Sequence, residues 1–104
     1  MLEKKVYSLL GLARKAGRIG SGEFMTERSV KSFKAYLVII ASDSSDNTKK
    51  KFKDSCAFYK IPYYEFGDKD GLGHALGNEM RASVAVNDRG LANGLKKLLE
   101  QLND

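Results

Sequence analysis

Apolar residues recur every three or four positions along much of the chain, and this spacing predicts amphipathic helices. The first stripe runs from Val6 to Ala16 and predicts a helix that ends at Gly17. Polar residues separate the stripes, so each stripe has one face for a core and one for solvent. Four further helices are predicted in the same way, over residues 22–34, 46–59, 71–77 and 91–102.

Two of these helices have candidate caps. In the second helix Thr26, Val30 and Phe33 form the inner stripe, and Ser21 is the candidate N-cap because its hydroxyl can accept a bond from a free backbone N–H. Asp70 is the candidate cap of the brief helix that follows it.

Continuous apolar runs at 35–41 and 82–86 predict strands that are covered on both faces, and 63–66 and 18–22 predict two short extended pieces. Helices and strands therefore alternate along the chain. This order predicts a three-layer α/β/α sandwich with a small mixed, mostly parallel sheet. We expect residues 1–104 to form one domain.

Charge and cysteine content narrow the function class. The formal net charge is +5, and a positive potential attracts polyanions such as nucleic acids. Cys56 is the only cysteine, so no intramolecular disulfide can form. No segment approaches the roughly 20 apolar residues of a membrane span. We therefore expect a cytoplasmic protein that does not associate with membranes.

Catalytic and metal-binding constellations are not evident. His74 is the only histidine. Cys56 lies on the apolar stripe of another helix, so His74 and Cys56 are a poor pair of general base and nucleophile. Four aspartates flank helix starts, where capping is a simpler explanation than a metal site: Asp43, Asp46, Asp68 and Asp70. No phosphate-binding glycine loop is present. We expect no enzyme activity, no cofactor and no metal.

The segment around Gly22 is the best candidate for a binding site. Gly22 allows close backbone approach to a ligand, and the helix that follows offers free amides to an anion. Phe24, Met25 and Arg28 fall on one outward surface, which suits contact with unstacked RNA bases. Packing of Phe24 and Met25 under the first helix is the alternative. The lysines of 49–53 favour a solvated surface, although Lys49 can contact a phosphate.

Five stretches of the chain carry a distinctive sequence: residues 9–17 (LLGLARKAG), 21–23 (SGE), 41–43 (ASD), 47–51 (NTKKK) and 72–77 (LGHALG). In these stretches the sequence resembles the ribosomal protein L-seven-Ae and L-thirty-e superfamily of kink-turn RNA binders, most closely its bacterial YlxQ-type branch. The likeness covers nearly the whole chain.

The resemblance implies a three-layer fold and a non-catalytic RNA-binding face at one end of it. The family glycine corresponds to Gly22 and the basic contact to Arg28, but Phe24 and Met25 replace the polar residues that read sheared G·A pairs. Further contacts implied by the resemblance are Lys49, Lys69, Asn78, Glu79, Met80 and Arg81. Lys49 and Glu79 depart from the usual small or apolar family residues.

The resemblance implies that the partner is structured RNA, ribosomal or ribosome-associated, and that the protein acts as a monomer. A protein-interaction module that uses exposed Phe24 and Met25 is the alternative function. RNA-modifying enzymes carry related domains, but 104 residues leave no room for a separate catalytic domain.

Overall fold

Nine segments of regular structure alternate along residues 1–103, the part of the chain that the computed structural model describes. No helix within this range is long and apolar enough to cross a membrane. In chain order the elements are α1 (Leu2–Lys15), β1 (Ile19–Ser21), α2 (Glu23–Lys31), β2 (Leu37–Ile40), α3 (Asp46–Tyr59), β3 (Tyr63–Glu65), α4 (Lys69–Ala75), β4 (Ser83–Val86) and α5 (Arg89–Leu102).

The four strands form one sheet in the order β1-β4-β2-β3. β4 pairs antiparallel with β1 and with β2, whereas β2 and β3 are parallel. The prediction of a mixed sheet is confirmed, but the expectation that it is mostly parallel is wrong. An apolar run indicates that a strand is covered on both faces, but it does not indicate the direction of the strand relative to its neighbours.

Helices cover both faces of the sheet, so the three-layer α/β/α architecture is confirmed. Along β2, Leu37 and Ile39 enter the core beneath α1, α4 and α5, while Val38 and Ile40 enter the core beneath α2 and α3. This alternation follows from the period of two along a strand, and all four residues of β2 are buried.

Three local predictions are wrong. The N-cap of α2 is Gly22, not Ser21, because the chain makes its turn at Gly22. The N-cap of α4 is Asp68, not Asp70, and its carboxylate accepts a bond from the Gly71 N–H at 2.6 Å. Phe33 is not on an inner stripe: α2 ends at Lys31, and Phe33 lies beyond it with 79% of its surface exposed.

Cys56 is buried beside Phe52 in the core beneath α2 and α3. Burial raises the pKa of the Cys56 thiol to about 11, since the thiolate loses its hydration there. We therefore expect the native protein at pH 8 to react with an aromatic disulfide reagent only as fast as it unfolds, whereas the urea-unfolded chain reacts at once. Absorbance of the released thiolate measures both rates. Rapid labelling of the native protein would contradict this placement of Cys56.

Candidate functional site

The turn from β1 into α2 is held by Gly22. Its N–H donates to the Ser83 carbonyl at 2.9 Å, and its φ of +87° lies in a region that side-chain-bearing residues rarely adopt. A Cβ added at Gly22 would meet no atom within 4 Å, so glycine is required for conformation and not for space. Among the described residues no side chain caps the first turn of α2, which leaves its amides available to an anion.

The outward face of α2 carries the residues that the sequence placed there. Phe24 is 73% and Met25 44% exposed, so the alternative that both pack under the first helix is wrong. Phe24 and Arg28 line a shallow depression of about 340 Å³ together with Lys31. One aromatic ring and two cations therefore share one face of α2, and Glu27 lines the same depression 3.3 Å from the Lys31 ammonium.

The segment that carries Asn78, Glu79, Met80 and Arg81 lies across α4. A Cβ at Gly73 would overlap the Glu79 carbonyl, so this crossing is possible only because position 73 has no side chain. The Asn78 N–H donates to the Gly73 carbonyl at 2.8 Å. Asn78, Glu79 and Met80 are exposed on the outer side of the crossing.

Arg81 joins this segment to the start of α2. Its backbone N–H donates to the Lys69 carbonyl at 3.0 Å, its Nε donates to the Ser21 hydroxyl at 3.4 Å, and its Nη1 donates to the Met80 carbonyl at 2.9 Å. Arg81 therefore ties the beginning of α4 to the end of β1, directly before Gly22.

The β2–α3 connection completes this end of the sandwich. The Asp43 carboxylate accepts a bond from the Lys69 N–H at 3.0 Å, and the Ser44 hydroxyl donates to the Ala82 carbonyl at 3.4 Å. Lys69 is thus fixed by its backbone beside Arg81. We call the surface formed by residues 22–28, Lys69 and residues 78–81 the composite face.

No hydrogen bond or ion pair in the described residues joins the Lys49 side chain to the composite face. Its ammonium lies 3.8 Å from the Glu65 carboxylate on the edge strand β3, and its side chain is only 25% exposed. Two neighbouring lysines are also ion-paired, Lys50 with Asp54 and Lys51 with α2. This pairing supports the solvated-surface interpretation of the lysine run.

Lys51 anchors α2 to α3. Its ammonium lies 2.8 Å from Glu23 and 2.7 Å from Glu27, both on the first turns of α2. Hydrogen bonds from Lys51 and then from Lys31 lower the pKa of Glu27, and the bonds to Glu23 and Glu27 raise the pKa of Lys51.

Sequence reasoning also missed three residues that shape the composite face. Arg14 packs its guanidinium against Gly77, Ser21 accepts from Arg81, and Asp43 accepts from the Lys69 amide. All three residues lie in shared family stretches, 9–17, 21–23 and 41–43, and this was the only available signal. Each of the three contacts joins residues far apart in the chain.

His74 lies in a cleft that is lined by no carboxylate among the described residues. It is exposed on α4 and lines this open cleft of about 600 Å³ with Tyr7, Lys15 and neighbouring residues. Within residues 1–103 no group of His, Cys, Asp or Glu is placed to hold a metal ion. The composite face can bind a ligand that is an anion and that also carries flat apolar groups.

Comparison with known proteins gives consistent similarities over most of the chain. A model of the ribosomal protein L7Ae/L30e/S12e/Gadd45 family matches residues 4–96. RNA-binding protein YlxQ of Bacillus subtilis is 42% identical over 94 residues, which cover 90% of this chain and 94% of that protein. RNA-binding protein YlxQ of Enterococcus faecium is 35% identical over 97 residues, 93% of each chain.

Two solved structures share the fold. A Bacillus halodurans protein described as having unknown function superposes with a TM-score of 0.89 at 38% identity, over 92% of this chain and 97% of that one. The Giardia lamblia 15.5kD RNA binding protein superposes with a TM-score of 0.80 at 23% identity, over 98% of this chain and 88% of that one.

The crossing at Gly73 generates a prediction about stability. Gly73→Ala places a methyl group against the Glu79 carbonyl, so we expect the free energy of unfolding to fall by about 1–3 kcal/mol, the range for an overpacked site. Gly90→Ala is the matched control, because its Cβ would meet nothing closer than 3.5 Å and alanine favours a helix. Urea unfolding measures both variants. Equal stabilities for the two variants would contradict the contact.

The Lys51 anchor generates a prediction about pH. Glu27, with its pKa lowered from 4.5, stabilises the fold above pH 4.5 and loses this contribution as pH falls through the lowered pKa. Lys51, with its pKa raised from 10.5, contributes below pH 10.5 and loses it as pH rises further. Lys51→Met should therefore cost about 0.5–1 kcal/mol at pH 7 and less at pH 3.

Lys53→Met is the control for this change, since Lys53 forms no ion pair in the described part of α3. Urea unfolding at both pH values compares the two variants with the unmodified chain. A cost for Lys51→Met that is the same at pH 3 and pH 7, or that Lys53→Met reproduces, would exclude the ion pairs as its origin.

Proposed function

Because the chain belongs to the ribosomal protein L7Ae/L30e/S12e/Gadd45 family, and its YlxQ-type relatives are RNA-binding proteins, we propose that it binds structured RNA through the composite face without catalysing a reaction. The observation that carries the proposal is the bond from Arg81 to Ser21, which joins residues 78–81 to the start of α2. Two segments 60 residues apart thereby form one surface.

The composite face offers several contacts to a phosphate backbone. The uncapped first turn of α2 presents amides, Arg28 is exposed one turn further along, and Lys69 and Arg81 lie on the neighbouring segment. Phosphate contacts release counterions, so affinity should fall as salt rises. Glu79 is exposed on the same segment and disfavours a phosphate close to it.

Phe24 and Met25 alter the contacts that bases can receive. Neither side chain can form a hydrogen bond to a base edge, whereas both can cover an unstacked base. A bidentate base contact contributes about 1–3 kcal/mol of discrimination. We infer that preference for kink-turn RNA is weakened and that phosphate contacts and RNA shape dominate. The pairing of Lys49 with Glu65 supports a position outside this interface.

Ribosomal or ribosome-associated RNA is the target that we infer, since the family description includes ribosomal proteins. The protein acts on this RNA as a monomer in our proposal. A second candidate function is protein binding at the composite face, which the 73% exposure of Phe24 and the 44% exposure of Met25 favour. An apolar protein contact would depend on Phe24 and much less on Arg28.

Reversal of charge at Arg28 tests the proposed interface. We expect Arg28→Glu to weaken binding of structured RNA and to lower the slope of log affinity against log salt by about 1, the loss of one phosphate contact. Fluorescence anisotropy between about 50 and 200 mM salt measures both quantities. Lys97→Glu on α5 is the control, because it makes the same change of charge on an exposed residue of a different face.

Comparison of two RNAs tests shape recognition. A kink-turn RNA and a straight duplex of matched length and composition should both bind in a salt-dependent way, with the bent RNA favoured only modestly. If neither RNA binds at low salt, the proposed function is wrong. If Lys97→Glu weakens binding as much as Arg28→Glu, the charge acts from a distance and the assigned face is wrong.

A further inference from the structure

Four aromatic side chains cluster at the end of the sandwich opposite the composite face. Phe33 follows α2, Tyr36 precedes β2, and Phe58 and Tyr59 end α3. The ring centroids of Phe33 and Tyr59 lie 5.4 Å apart and those of Phe58 and Tyr59 lie 5.0 Å apart, both in edge-to-face geometry. Phe33 and Phe58 are each 79% exposed. We call these four residues the aromatic patch.

Phe33 holds its exposed position at a conformational cost. Its φ is +61°, and only Lys60 among the other non-glycine residues in 1–103 also has a positive φ, of +59°. Phe33 follows the end of α2 and Lys60 follows the end of α3, and both helices border the aromatic patch. Glycine or asparagine usually occupies such a position, and a bulky residue there is strained. The core gains little from a ring that is mostly in solvent, so a function outside the core accounts better for Phe33.

Cations surround the aromatic patch. Lys34 and Lys60 are exposed at its border, and the Arg89 guanidinium carbon lies 5.7 Å from the centroid of the Tyr36 ring. Phe33, Tyr36, Tyr59 and Lys60 line a shallow depression of about 220 Å³ to which no Asp or Glu contributes. Its charge therefore complements an anionic ligand, and its exposed rings complement a ligand that carries flat rings of its own.

Single-stranded RNA combines these two properties, because each nucleotide has a phosphate and a base that can stack. We propose that the aromatic patch is a second RNA-contact surface, on which unpaired bases stack against Phe33 and Phe58 while Lys34, Lys60 and Arg89 contact phosphates. This inference rests on the proposed function for its class of ligand. It uses different residues, at the end of the sheet where β2 begins and β4 ends, whereas the start of α2 lies where β4 begins.

The two surfaces bind RNA segments of different structure. The composite face holds a folded element, and the aromatic patch holds an unpaired strand. Binding of a protein partner to the exposed rings would not depend on nucleobases. The presence of bases is therefore the variable that the experiment changes.

Anisotropy of two labelled strands tests the aromatic patch. A ten-nucleotide uridine RNA and an abasic strand of equal length and charge are titrated at low salt with the full chain. We expect the uridine strand to bind more tightly. Phe33→Gly and Phe58→Ala should each weaken the uridine strand roughly 5- to 100-fold, the effect of losing one stacked base, and should leave the abasic strand nearly unchanged.

Stability separates a binding defect from a folding defect. Glycine relieves the positive φ at position 33, so Phe33→Gly should keep or raise the melting temperature while it loses affinity. Leu12→Ala is the control, since it removes an exposed apolar side chain from α1, outside both surfaces. It should leave binding of the uridine strand nearly unchanged.

Several results would overturn the aromatic patch as an RNA site. These are no binding of the uridine strand, equal binding of the abasic strand, normal affinity of both patch variants, or a larger loss with Leu12→Ala. Failure of the proposed function has a different outcome. In that case structured RNA does not bind, while the uridine strand still binds and still depends on Phe33 and Phe58.

Discussion

The segment that leads into β4 crosses α4 at Gly73, and the rest of the structure depends on this contact. The Glu79 carbonyl occupies the space where any other residue at position 73 would place its Cβ. From this crossing the chain runs directly into β4, which lies between β1 and β2 and antiparallel to both. The same crossing brings Arg81 to Ser21 and so connects the two halves of the composite face. One backbone contact therefore positions the segment that leads into β4 and completes the binding surface.

Much of the fold could be predicted from the sequence, because burial leaves a periodic trace. The stripe of α3, the stripe of α5 and the apolar runs of β2 and β4 predicted these elements with nearly their observed bounds, whereas the stripe of α1 begins at Val6, four residues after the helix starts at Leu2. Strand direction could not be predicted, since a strand with both faces covered has the same composition in either direction. Phe33 was misplaced because it continues the apolar spacing of Thr26 and Val30, although α2 ends at Lys31, two residues before it.

The candidate site was predictable in part. Exposure of Phe24, Met25 and Arg28 follows from their positions on α2, and residues 78–81 came from the resemblance to a family. What could not be predicted are contacts between distant segments, such as Lys51 with Glu23 and Arg81 with Ser21. These depend on which helices are neighbours, and a charge run read by itself does not identify its partners. Lys49 illustrates the point, since its pairing with Glu65 becomes evident only in the fold.

The central claim is that structured RNA contacts the joined start of α2 and the segment before β4. Titration of the isotopically labelled chain with a structured RNA, followed by the backbone amide resonances, tests it most directly. The account predicts that the largest shifts occur at residues 22–28 and 78–82, and that both segments shift with the same RNA dependence because Arg81 couples them. Saturating shifts confined to α5 or to the edge strand β3, with these two segments unchanged, would contradict it.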